Sequence, residues 1–130
     1  MGRPRMSYGK IRANFIEHNT SGSVPTEYVV EGTVKAKVAA DTAASIYSNS
    51  SLNISSGVDE GTGDYKYNLT NNLARNLAQE YCSGTVLGYA DVVRIKTAES
   101  STSVMDIECM NEAFDVADAA HAMGCFGDLA

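Results

Sequence analysis

The sequence predicts an all-β domain, an antiparallel sandwich or barrel with an N-terminal arm and at most one short helix. Three observations lead there. First, Leu52 to Leu69 reads as a β-hairpin: Leu52, Ile54 and Val58 share one alternation, and Tyr65, Tyr67 and Leu69 share another. Between them lies Asp59-Glu60-Gly61-Thr62-Gly63-Asp64, and its glycines accept the positive φ that a tight turn needs. Gly61, Gly63 and Asp64 are therefore the fold-defining turn. Second, the same period of two recurs at 33–39 and again at 104–110. Third, the chain carries 13 Ser and 9 Thr against 2 Pro and no Trp, with short apolar runs broken by Gly, Ser, Asn and Asp. At 130 residues it is one domain, long enough to bury about two-thirds of its unfolded surface.

Taken in order, residues 7–19 are ambiguous. Tyr8, Ile11, Phe15 and Ile16 fit a helical face, whereas Ile11, Ala13 and Phe15 alternate. Thr20 to Pro25 reads as a loop, and an arm-to-head boundary falls near residue 25, with the head over 26–130. Tyr28 to Val30 is extended. In 33–39, Val34, Ala36 and Val38 point inward while Lys35 and Lys37 face out. Ser45 to Tyr47 suits a short edge piece.

After the hairpin, Asn71 to Glu80 has a helix cap followed by Leu73 and Leu77 at i and i+4, enough for one or two turns. Tyr81 to Leu87, Val92 to Thr97 and Val104 to Met110 are expected strands, separated by turns at Gly88 and at Glu99 to Ser103. Over 111–121 the abundant Ala favours a helix by propensity alone.

Charge is unevenly placed. The net value is −6, yet Arg3, Arg5, Lys10 and Arg12 put four of the ten basic residues before position 13. From there on, 6 Lys and Arg face 16 Asp and Glu, a balance of −10. So acidic a body repels a phosphate backbone, which argues against nucleic acid as a partner. A basic tip on an acidic body suits docking onto an acidic surface, with a solvated terminus as the alternative. Arg3, Arg5, Tyr8, Ile11, Arg12, Phe15 and Ile16 are the candidate residues for self-association or attachment. No apolar run approaches the ~20 residues that cross a bilayer as a helix, and the start lacks a secretion signal's apolar segment.

Residues that carry chemistry are sparse. Cys82, Cys109 and Cys125 are too few and too widely spaced for a zinc ribbon or a disulfide framework, so buried thiols in a reducing cytoplasm are expected. His18 and His121 lie far apart in the chain, and ordinary packing or surface roles are expected of both. Asp59, Glu60 and Asp64 share one loop without the spacing of a calcium loop. Gly61-Thr62-Gly63 lacks the Lys of a phosphate loop, and no nucleophile elbow occurs. The expectation is no catalytic site, no cofactor and no metal. Tyr65 and Tyr67 would serve either as cross-strand core pairs or as a sugar-stacking surface, with the core role favoured.

Asn53-Ile54-Ser55-Ser56 followed by Gly61-Thr62-Gly63-Asp64-Tyr65 resembles a β-rich head or knob module of tail fibres and other virion proteins of marine and cyanobacterial bacteriophages. The likeness extends upstream to Gly32-Thr33-Val34-Lys35-Ala36 and downstream to Gly124-Cys125-Phe126-Gly127-Asp128, where the family closes on a last strand. It covers about residues 28–130 and leaves the N-terminal segment outside. The resemblance implies a loop over 111–121 feeding a strand from His121 to Gly127. It also implies a non-enzymatic virion structural protein assembled in the host cytoplasm, a homotrimer that contacts other tail or capsid proteins. Its leading role would be a tail-fibre or receptor-binding head facing host-surface polysaccharide. The alternative is a capsid decoration or head-fibre protein.

Overall fold

The computed structural model describes residues 13–19, 22–26, 29, 32–77, 82–87 and 92–130. Over these the chain is all-β, with nine strands in three antiparallel sheets: β1 Phe15–His18, β2 Gly22–Pro25, β3 Ala36–Ala40, β4 Ile54–Gly61, β5 Asp64–Leu69, β6 Cys82–Val86, β7 Val92–Ile95, β8 Val104–Met110 and β9 His121–Cys125. The strand orders are β1-β2, β3-β9-β6 and β4-β5-β8-β7. The two larger sheets face each other as a sandwich.

Period-two burial generates the core. Ala36, Val38 and Ala40 on β3 and His121, Met123 and Cys125 on β9 are buried from one sheet. Tyr65, Tyr67 and Leu69 on β5 and Met105, Ile107 and Cys109 on β8 are buried from the other. Lys37, between Ala36 and Val38, is exposed as the alternation requires. One margin of the sandwich is closed by Lys37 and Leu52, whose backbones exchange bonds of 3.1 and 2.9 Å. At the other margin β6 runs beside β7.

The hairpin forms where the glycines lie. Gly61 and Gly63 have φ of 141° and 66°, and Asp59 Oδ1 accepts the Gly61 amide at 3.0 Å. Gly63 is also a point of close approach. A Cβ there would lie 2.7 Å from the Cys109 carbonyl oxygen and 2.8 Å from the Ala117 nitrogen, so only a bare backbone fits.

Three expectations change. The Thr20 to Pro25 loop is in part strand β2, because residues 22–25 pair with β1 in register Phe15↔Pro25 to His18↔Gly22. Pairing overrides the loop composition there, and for 15–18 it decides the helix-or-strand ambiguity for the strand. Residues 71–77 form no α-helix. The amides of Leu73, Ala74 and Leu77 donate to Thr102, Asp128 and Ser101 instead of to their own preceding turn. Leu73 and Leu77 are both buried all the same, so their spacing reported burial rather than helix. The cysteines are not three thiols: Cys82 and Cys125, directly opposite on β6 and β9, form a disulfide with Cα atoms 4.2 Å apart, while Cys109 is a buried thiol. Tyr65 and Tyr67 take the favoured core role, both fully buried, which leaves no sugar-stacking surface there.

Residues 111–120 are a loop as expected, and β9 closes the chain, ending at Cys125 rather than Gly127. Tyr28, Val30 and residues 78–81 lie outside the described residues.

Candidate functional site

Beneath the hairpin lies a polar cluster inside the core. The Tyr67 hydroxyl is 2.7 Å from His121 Nε2, and His121 Nδ1 is 2.8 Å from the Ala119 carbonyl oxygen. A carbonyl can only accept, so Nδ1 carries the proton and Tyr67 donates to Nε2. The imidazole is thereby fixed as one neutral tautomer. Tyr65 stacks on it at 4.3 Å between ring centres, donates to the Thr42 carbonyl at 3.2 Å and accepts the Ala119 amide at 3.3 Å. Asp118 Oδ1 accepts the Gly63 amide at 2.7 Å, which ties this cluster to the turn.

Burial dominates the ionisation of all three rings. It pushes the Tyr65 phenol up to about 12 and the Tyr67 phenol higher still, and it lowers the His121 imidazole below its ordinary 6.5. Below pH 6.5 the unfolded chain takes up a proton at His121 that the native chain refuses, so stability falls as pH falls. The slope from this group reaches at most about 1.4 kcal/mol per pH unit. Ring-nitrogen NMR is expected to show His121 protonating only below 6.5, with a lower unfolding free energy at pH 6 than at pH 7.5. A His121 that titrates at 6.5 or above would contradict this placement.

The outer face of the four-stranded sheet carries a ladder of ion pairs. Cross-strand register sets Lys66 opposite Asp106, and sets Glu108 between Asp64 and Arg94. Lys96 reaches Asp64 Oδ2 and Glu99 Oε2, both at 2.8 Å, and Lys66 reaches Glu60 Oε2 at 3.1 Å. Asp106 is fully buried below them, and its oxygens meet the Lys96 and Lys66 ammonium groups only at 3.6 and 3.7 Å, outside hydrogen-bond reach. Burial pushes its carboxyl above the usual carboxylate value, opposed first by Lys96 and then by Lys66. The Asp64 and Glu99 carboxylates hold the Lys96 ammonium well above its ordinary value. Asp106 apart, the charges of the ladder meet opposite charges on neighbouring strands or turns, which helps to hold strand register.

Of the residues expected to matter, Gly61, Gly63 and Asp64 come together at the turn, and Asp64 is drawn into the ladder. Phe15 and Ile16 lie side by side on β1 with 60% and 50% of their surface exposed. Arg3, Arg5, Tyr8, Ile11 and Arg12 lie outside the described residues. Asp59 and Glu60 are engaged by Gly61 and Lys66, and no group of three His, Cys, Asp or Glu among the described residues could hold a metal ion. Two clefts, of about 350 and 560 Å³, flank β6, and among the described residues the lysine or arginine lining each is Arg94 in the first and Lys37 in the second. No helix among the described residues is long and apolar enough to cross a membrane. Sequence reasoning left His121 open between a packing and a surface role, and the structure places it in the core. Its one signal was position, on the inward phase of the last strand.

No family model, curated protein or solved structure matches this chain.

Proposed function

We propose that this chain is a non-enzymatic structural protein of a bacteriophage particle, and that it acts as a homotrimeric tail-fibre or receptor-binding head. One observation carries the reading. The segments that resemble the virion module are far apart in sequence, yet two of them meet: Ala36, at the end of the upstream match, pairs with Cys125 in the downstream match. The third match is the β4–β5 hairpin of the facing sheet. The resemblance gains support from this arrangement, since its motifs supply paired strands of one sheet and the hairpin of the other.

The exposed β1–β2 ribbon supports an assembly role. Consecutive strand residues point to opposite faces, so with Phe15 and Ile16 60% and 50% exposed, β1 keeps apolar surface open on both faces. A lone two-stranded ribbon is marginal in water and gains stability when another surface covers it. Itself, other tail or capsid proteins and host-surface polysaccharide are the partners this reading names; it invokes no cofactor, nucleic acid or membrane insertion.

Counting copies per virion by quantitative mass spectrometry tests it. Copies in the low tens, together with antibodies that block adsorption to host cells, are the expected result. Hundreds of copies would replace the tail role with capsid decoration, and absence from purified particles would overturn both.

A further inference from the structure

The loop after β8 holds an aromatic side chain out in solvent. Asn111 Oδ1 accepts the amides of Ala113 and Asp115, both at 2.9 Å, and its carbonyl oxygen accepts the amide of Phe114 at 2.9 Å. Thus clamped, Phe114 takes a φ of 62°, rare for a bulky residue, and leaves 71% of its surface exposed. Beside it an apolar row crosses the end of the sheet: Val92 pairs with Met110, and Met110 bridges to Val116, so the three side chains share one side. Val92 and Val116 are 41% and 44% exposed. Glu112 and Asp115 flank Phe114, both exposed, and neither meets a lysine or arginine among the described residues. An exposed aromatic centre with an unanswered acidic rim has the anatomy of a docking site for a basic, apolar strand.

The chain itself contains such a strand. Residues 1–12 have four basic and no acidic side chains, interleaved with Met6, Tyr8 and Ile11, and fully extended they span about 40 Å. The β1 strand that follows them keeps apolar surface exposed on both faces at Phe15 and Ile16, which favours a neighbour's surface over the chain's own. We propose that the Asn111–Ala117 loop receives residues 1–12 of a second copy, with Phe114 against the apolar side chains and Glu112 and Asp115 against the arginines. This rests on the self-association proposed above and names the surfaces that make it.

The test uses the full chain with the photoreactive residue benzoylphenylalanine in place of Phe114. Irradiation is expected to give an adduct of twice the chain's mass, joined to a peptide from residues 1–12. Adding Glu112→Lys and Asp115→Lys should cut the yield at least fivefold, whereas Asp128→Lys should leave it unchanged. An adduct confined to one chain, or joined to any other segment, overturns the proposal. Native mass spectrometry of the same sample separates the two levels. Oligomers without the 1–12 adduct sink this docking and leave self-association standing, while monomers at micromolar concentration sink both.

Discussion

Replacing Gly63 by Ala is expected to cost about 3 kcal/mol or more of stability, read as a shift of the urea midpoint at unchanged slope. Two penalties combine. Ala at a φ of 66° carries about 1–2 kcal/mol of left-handed strain. Its Cβ would also lie 2.7 and 2.8 Å from backbone atoms of Cys109 and Ala117, which flexible side chains cannot relieve. To make room, the turn must withdraw from β8 and lengthen the 2.7 Å bond from the Cys109 amide to the Gly63 carbonyl. A cost below 1 kcal/mol would mean that the turn does not rest on the β8 loop.

Removing the Tyr67 ring should cost at least as much. Tyr67→Ala deletes a fully buried aromatic and strands its partner, so about 3–5 kcal/mol is expected. Tyr67→Phe isolates the polar part. The ring and its packing stay, while His121 Nε2 loses the Tyr67 donor, for about 1–3 kcal/mol. The Phe variant should also weaken the hold on the neutral imidazole, since Nε2 no longer accepts a bond. If Tyr67→Phe were as stable as the parent with an unaltered His121 titration, the hydrogen bond assigned here would be wrong.

How much of this was legible in the sequence differs by element. The hairpin was, because the alternation of Tyr65, Tyr67 and Leu69 and the two glycines both state their purpose locally. So was β8, where Asp106 and Glu108 alternate with Met105, Ile107 and Cys109. The ladder was not: Asp64 stood out in the turn, but the partners of Asp64, Asp106 and Glu108 depend on register across β5, β7 and β8. Leu73 and Leu77 misled because two buried residues four apart satisfy a helix and an irregular buried segment equally. Residues 22–25 misled because their turn-like composition says nothing of a partner strand. The Cys82–Cys125 bond joins residues 43 apart and needed the β6–β9 pairing to appear. His121 was hidden for the same reason, as its meaning lies in Tyr67 of the opposite sheet. The apolar loop around Phe114 looked like a helix by propensity; the Asn111 side chain, by taking two of its amides, holds it in a turn.

The account stands on two strand pairings, β5 with β8 and β3 with β9, packed face to face across His121. Backbone NMR in solution tests this most directly. Cross-strand proton contacts linking Tyr65 to Ile107 and Ala36 to Cys125, with ring contacts from Tyr65 to His121, are the predicted result. Helical contact patterns over 71–76 and 111–120, without those cross-strand contacts, would contradict it.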